Sequence, residues 1–218
     1  MRTTLFFAFL AITVGSVQSC NWFSSPPPTF CDTACIKENI RFSGTHEDIP
    51  YVEISVANCL PDTLSWSYSG LGTKRKIGFA YLIGRTVKIN NDFIKVQFKD
   101  NQYAWILFND CVTGRGFQIQ LPYDKATPFR LKSSGLNPLD PKFSIEEGLI
   151  ANTDRGNLFV EDAMDGKKAM MTFGEKLDID YDVIHDHIDS VSITRNKLWA
   201  KIKIGNKWVV KEKNITMQ

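Results

Sequence analysis

The chain has little histidine, no marked excess of charge and no long apolar run. Its 218 residues include 3 histidines, and 26 Lys and Arg are balanced by 24 Asp and Glu. This charge balance gives no indication of a nucleic-acid partner. The longest apolar run, residues 5–14, is about half the length that a membrane-spanning helix needs. We therefore expect neither nucleic-acid binding nor a spanning helix.

The chain also lacks the short motifs that commonly accompany hydrolysis or nucleotide binding. It contains no His-Glu-x-x-His, no Gly-x-Ser-x-Gly and no phosphate-binding glycine loop. Adjacent carboxylates such as Glu146 and Glu147 point to opposite sides of a strand, which does not suit paired acid and base catalysis. We expect a protein that is not an enzyme and that uses no cofactor.

The N-terminal residues indicate export. Arg2 gives a short positive region, residues 5–14 are apolar, and small residues precede a cleavage point after Ser19. Residues 1–19 are therefore predicted to be a signal peptide. Removing them leaves 25 basic against 24 acidic residues.

The segment Val17-Gln18-Ser19-Cys20 resembles a bacterial lipobox, in which the cysteine after the cut is acylated. The resemblance implies lipid attachment at Cys20 and anchoring to a membrane on its extracytoplasmic side. Residues 20–30 include two serines and three consecutive prolines, a composition that predicts an extended, flexible tether. The alternative is an ordinary signal peptide, with Cys20 in a disulfide.

The four remaining cysteines lie in the first half of the chain. Their even number suits disulfides in an oxidising compartment, and it permits three connectivities. The disulfide candidates are Cys31, Cys35, Cys59 and Cys111. A metal site built on Cys31 and Cys35 is the alternative, but no second pair with similar spacing accompanies them.

Most of the chain shows the pattern of a mainly β protein. Short runs of β-branched and aromatic residues alternate with clusters of Gly, Asn, Asp and Pro. Residues 31–131 are predicted to form a disulfide-containing β module, and residues 143–218 a second β module. Between them, residues 132–142 contain Ser-Ser-Gly and two prolines, which is typical of a linker.

Three elements recur in the same order in both halves, which predicts a structural duplication. The matched pairs are residues 83–89 with 173–179, residues 93–98 with 199–204, and Trp105-Ile106 with Trp208-Val209. The second and third matches require the second copy to carry an insertion at residues 180–197.

The repeated order resembles the bacterial SH3-like domain, with Trp199-x-Lys201-Ile202 and Trp208-Val209 as the most specific part. The resemblance covers residues 158–215 best and the first copy more loosely. It implies two small SH3-like β-barrel or β-sheet modules, similar to those of bacterial envelope lipoproteins. It also implies binding to peptidoglycan, wall peptides or an envelope protein.

Side-chain alternation places candidate ligand-binding residues on the polar face of two matched strands. These are Phe93 and Lys95 in the first copy, and Trp199 and Lys201 in the second. An aromatic ring would stack on a ligand while a lysine meets its carboxylate. The alternative is an aromatic that only covers a barrel end, and we interpret Trp208 as a core residue.

The insertion contains a dense group of possible metal ligands. Asp182, His185, His187 and Asp189 fall within eight residues, and the two histidines share a face if the segment is extended. The alternative is a solvated hairpin that packs through its isoleucines.

Together these patterns predict an exported, lipid-anchored cell-envelope protein with a non-catalytic binding role. One alternative is an extracytoplasmic metal-dependent hydrolase that uses the His185, His187 and Asp cluster. Another is a purely structural envelope protein.

Overall fold

Alternation of apolar and polar residues produces strands along nearly the whole described chain. The computed structural model describes Cys31 and residues 35–218. The predicted signal peptide, the lipid attachment at Cys20 and the tether at residues 20–30 lie outside the described residues. The prediction of a mainly β fold is confirmed, with 50% of residues in strands and 8% in helix.

The described residues form fifteen strands and one short α-helix. In chain order they are β1 (Ile40–Ser43), β2 (Tyr51–Ala57), β3 (Leu60–Ser67), β4 (Arg75–Gly78), α1 (Phe79–Ile83), β5 (Ile94–Lys99), β6 (Tyr103–Asn109), β7 (Gly116–Pro122), β8 (Arg130–Leu136), β9 (Phe143–Ile145), β10 (Leu149–Asp154), β11 (Asn157–Asp162), β12 (Lys168–Thr172), β13 (Ile188–Ile193), β14 (Lys197–Ile204) and β15 (Lys207–Asn214). Two 3-10 turns, Asn91–Phe93 and Tyr181–Asp186, precede β5 and β13.

The strands form three sheets. The first has the order β1-β2-β3-β4, the central sheet β12-β11-β10-β8-β7-β6-β5, and the third β15-β14-β13-β9. Neighbouring strands are antiparallel except β9 and β13, which are parallel. No closed barrel forms in the described part of the chain, so the expected barrel or sheet modules are open sheets.

Each outer sheet packs on one half of the central sheet and makes its own core. Val52, Ile54 and Leu64 of the first sheet are buried with Ile106 and Phe108 of β6. The second core joins buried residues of β8 and β10–β12 to those of the third sheet, among them Leu136, Ala151, Val160, Ile193 and Ile202. The central sheet is therefore shared by both halves of the molecule.

Two disulfides fasten the N-terminal part of the described chain. Cys31 pairs with Cys111 and Cys35 with Cys59, which is one of the three connectivities that the sequence allows. The first bond reaches the loop after β6, and the second reaches the turn between β2 and β3. None of the helices among the described residues is long and apolar enough to cross a bilayer.

The order of elements repeats along the chain. Strands β2–β4, a glycine in the left-handed region, a 3-10 turn and strands β5–β7 are followed later by β10–β12, a second such glycine, a second 3-10 turn and β13–β15. The glycines are Gly84 and Gly174, and the side chains of Asn90 and Asp180 cap the 3-10 turns.

This order changes the internal alignment that the sequence suggested. By position after the 3-10 turn, β5 corresponds to β13, whereas residues 93–98 were matched with residues 199–204 of β14. The expected insertion at residues 180–197 contains the second 3-10 turn and all of β13, which pairs with both β9 and β14. Successive strands of a meander share one alternating pattern, so the pattern alone did not fix which strand matched which.

The segment at residues 132–142 differs from the expected linker. Its first half belongs to β8, which lies in the middle of the central sheet between β7 and β10. A Cβ atom on Gly135 would lie 2.8 Å from Cγ of Gln118. Gly135 therefore allows the buried Gln118 side chain to pack closely against the backbone. Glycine in this segment serves packing, although its presence suggests a flexible linker.

Candidate functional site

The third sheet turns an aromatic and basic face to solvent. In β14, Leu198, Ala200 and Ile202 are fully buried, whereas the residues between them point outward. Trp199 and Lys201 are therefore on the outer face, as their predicted alternation requires.

Strand β15 extends this face with a second tryptophan. In the register of β14 and β15, Val210 lies opposite Lys201, and Trp208 lies opposite Lys203. Trp208 is 44% exposed and Val210 52% exposed. The interpretation of Trp208 as a core residue is wrong, because Trp208 is exposed and lies on the same outer face as its cross-strand partner Lys203. We call Trp199, Lys201, Lys203, Trp208 and Val210 the tryptophan face.

One lysine of this face lies beside an aromatic ring. The ammonium of Lys201 is 5.9 Å from the ring centroid of Trp208 and 3.2 Å from a carboxylate oxygen of Asp189. Hydrogen bonds from Ser190 and from Lys201 lower the pKa of Asp189, so that carboxyl is ionised at neutral pH. Lys203 has no ion pair with any described residue, and its charge is free for a ligand.

A second polar site lies on the central sheet. Arg130 and Lys132 of β8, Asn152 of β10, Phe159 and Glu161 of β11, and Lys168 of β12 line a cavity of about 320 Å³. We call these six residues the Lys132 groove. Asn152 lies directly opposite Phe159, and Glu161 opposite Lys168, so these side chains share one face of the sheet.

Only a weak signal in the sequence points to this groove. Arg130 and Lys132 alternate along one strand face, and Phe159 and Glu161 do the same on another. Residues 132–142 have the composition of a linker, so the sequence does not predict Lys132 as a strand residue. The strands that contribute the groove are not all adjacent in sequence, and their pairing becomes apparent only in the sheet.

Known proteins offer no function to transfer to either site. Comparisons with protein-family models, curated proteins and solved structures give no match. The resemblances to SH3-like domains and to lipoproteins therefore stay predictions. What the two sites do has to be inferred from their own side chains.

The other predicted ligand pair lies away from the tryptophan face. Phe93 ends the 3-10 turn before β5, and Lys95 belongs to β5 at the edge of the central sheet. The Lys95 ammonium is 3.6 Å from a carboxylate oxygen of Glu147. Since Trp199 and Lys201 belong to the third sheet, the four predicted ligand residues do not share one sheet face.

The predicted metal ligands are not assembled into a metal site. Asp182 accepts two hydrogen bonds of 2.8 Å from Arg85 and one of 3.4 Å from Arg115. Partial burial opposes its ionisation, but Arg85 and Arg115 outweigh burial and lower the pKa of Asp182. Among the described residues, no three His, Cys, Asp or Glu side chains are grouped to hold a metal ion. The four residues predicted to bind a metal are therefore not brought together in the described part of the chain.

The histidines and the last aspartate of that set have separate roles. Asp189 pairs with Lys201, and His187 ends the 3-10 turn with its backbone N–H donating to Ile184. His185 Nε2 lies 2.8 Å from a carboxylate oxygen of Asp140, and its Nδ1 lies 3.3 Å from the carbonyl oxygen of Ile188. Asp140 is buried, with 1% of its surface exposed.

Both ring nitrogens of His185 therefore face acceptors, an arrangement that favours the doubly protonated imidazolium. The hydrogen bond with Asp140 raises the pKa of His185, against burial and the nearby Lys142, which act in the opposite direction. The doubly protonated ring gives the buried carboxylate a cationic partner, in addition to the backbone N–H of Lys142, which donates to Oδ1 of Asp140 at 2.9 Å.

The stability of the protein is expected to depend on this protonation. The pKa of His185 is higher in the folded protein than in the unfolded chain, where it is about 6.5. The ion pair with Asp140 therefore contributes its full stability below the unfolded pKa, and this contribution is lost as pH rises through the folded pKa. The wild type should therefore lose stability over that window, and His185→Gln should lose less. At low pH the variant should be about 1 kcal/mol less stable than wild type, a value reduced for partial solvent exposure.

Urea unfolding across this pH range measures the effect. His46→Gln, in the loop between β1 and β2, is the matched control for replacing a histidine that does not contact Asp140. Parallel curves for wild type and His185→Gln would show that the ion pair contributes nothing to stability.

Proposed function

We propose that this chain is an exported, lipid-anchored envelope protein that binds wall material without catalysis. The observation that carries the proposal is the tryptophan face, on which two tryptophans and two lysines share one solvent-facing side of the third sheet. Peptidoglycan and its wall peptides are the ligands that we propose for it.

The chemistry of the face favours recognition of an extended ligand with carboxylates. An exposed tryptophan offers a large apolar surface with low side-chain entropy, and its ring also attracts cations. Trp199, Lys201 and Lys203 are two residues apart on the same face of β14, so an aromatic ring and two positive charges lie side by side. A strand scaffold holds these side chains more precisely than a loop would.

Export and anchoring have support of their own. Two disulfides among the described residues suit a chain that folds in an oxidising compartment. The N-terminal pattern suits a signal peptide that ends at a lipid-modified Cys20. Mass spectrometry of the mature N-terminus tests this part, and an unmodified Cys20 would remove the anchor from the proposal.

Binding to purified, insoluble peptidoglycan tests the proposed function. We expect Trp208→Ala and Trp199→Ala each to weaken cosedimentation with peptidoglycan by roughly tenfold, because each removes a stacking surface. Tyr81→Ala is the matched control, since Tyr81 is 83% exposed on α1 and lies outside the tryptophan face.

The control variant should sediment like wild type. The proposal fails if wild type does not cosediment, or if both tryptophan variants bind as well as Tyr81→Ala. Circular dichroism spectra of all variants should coincide, because neither tryptophan is part of the buried core.

A further inference from the structure

Lys132 is a partly buried lysine without an acidic partner. Its ammonium donates one hydrogen bond of 2.7 Å, to Oδ1 of Asn152. No carboxylate of the described residues lies within ion-pair distance of it. Burial lowers the pKa of Lys132, with Arg130 and Lys168 acting in the same direction and Glu161 opposing them. A cation in this position costs free energy unless an anion approaches it.

The one carboxylate among the six groove residues is already paired. Glu161 is 5% exposed, and its oxygens lie 2.9 Å from Arg130 and 3.9 Å from Lys168. Arg130 also donates to the side chain of Gln120 at 2.6 Å. The groove thus contains three cations, Arg130, Lys132 and Lys168, and one buried carboxylate. Asp154 lines the cavity at its rim, with a side chain that is 67% exposed and 3.9 Å from Arg155.

An apolar surface adjoins these charges. Phe159 and Lys168 line the groove and also a second cavity of about 560 Å³, whose other lining residues come from β12 and the C-terminal segment. Met170, which lies opposite Phe159 in the register of β11 and β12, lines that second cavity. A ligand held by its charge near Lys132 would therefore find an aromatic ring and a thioether beside it.

We propose that the Lys132 groove binds a small organic anion, with its carboxylate on Lys132 and Lys168 and its apolar group against Phe159. The volume of about 320 Å³ is at the lower end for ligand cavities, which suits a molecule of amino-acid size. The groove lies on the central sheet, so this binding does not depend on the tryptophan face.

The test uses N-acetylphenylalanine as the probe and its uncharged amide as the matched ligand. Isothermal titration of the full chain should give a measurable Kd for the acid and at least roughly tenfold weaker binding for the amide. Lys132→Met removes the charge and keeps the length of the side chain, and it should weaken binding of the acid by roughly tenfold or more. Lys76→Met, an exposed lysine of β4, is the control and should bind like wild type.

Thermal unfolding of the same variants separates binding from structure. Without ligand, Lys132→Met should melt at the same temperature as wild type or higher, because it removes a desolvated charge that lacks a carboxylate partner. Equal binding of acid and amide, unchanged binding by Lys132→Met, or no binding of the acid would each overturn the proposal. Inorganic phosphate that binds while the acid does not would overturn it as well.

Discussion

Replacing Cys31 and Cys111 together by alanine is expected to lower the free energy of unfolding by about 4 kcal/mol. The two cysteines are 80 residues apart, so their bond removes a large amount of chain entropy from the unfolded state. The shorter Cys35–Cys59 loop lies inside this one and reduces the effect only slightly. Cys111 is fully buried, so its replacement also removes packing at the end of β6.

The second disulfide provides the comparison. Replacing Cys35 and Cys59 together should cost less, about 3 kcal/mol, because the bond closes 24 residues. Cys59 also occupies a left-handed turn position with φ of 65°, a region that favours glycine and that alanine would keep strained. Urea unfolding under non-reducing conditions measures both losses. A larger loss for the Cys35 and Cys59 pair would contradict the assignment of the main constraint to Cys31–Cys111.

The sequence was informative wherever a property depends on neighbouring residues along a strand. The alternation in β14 correctly placed Leu198, Ala200 and Ile202 inside and Trp199 and Lys201 outside. The same local pattern established the mainly β class. These features follow from the two-residue period of a strand, which needs no knowledge of the partner strands.

Properties that depend on which strands meet were not accessible in this way. Lys132 becomes a candidate binding residue only because β8 pairs with β10, which brings Asn152 to its ammonium. Asp182 looked like a metal ligand among its sequence neighbours. It is instead paired with Arg85, which is 97 residues away and belongs to the first half of the chain.

Composition misled where small residues serve packing. Gly116 and Gly135 face each other in β7 and β8, and a Cβ on Gly116 would lie 2.2 Å from the carbonyl oxygen of Gly135. Close backbone approach requires glycine at such positions, and flexibility has no part in it. The linker is expected from the Ser-Ser-Gly sequence at residues 133–135 and from two prolines, but residues 132–136 of it belong to β8, which joins the two halves of the central sheet.

The same sensitivity to a missing side chain predicts a large effect at Gly156. This residue lies in the turn between β10 and β11 with φ of 88°, and a Cβ there would lie 1.9 Å from the backbone carbonyl oxygen of Glu175. The Phe173 N–H donates to the carbonyl of Gly156 at 2.8 Å, which holds residues 173–177 against the turn.

Gly156→Ala is therefore expected to destabilise the protein by about 3 kcal/mol or more, through backbone strain and through displacement of the segment that leads to the second 3-10 turn. Gly205→Ala is the matched control. Gly205 has φ of 57° in the turn between β14 and β15, with no atom within 4 Å of an added Cβ. Gly205→Ala introduces backbone strain at a positive φ but no clash, and should lower the free energy of unfolding by about 1 kcal/mol. Equal losses of unfolding free energy in urea would contradict this prediction. They would mean that residues 173–177 move away from an added Cβ at little cost, and that their contact with the turn contributes little to stability.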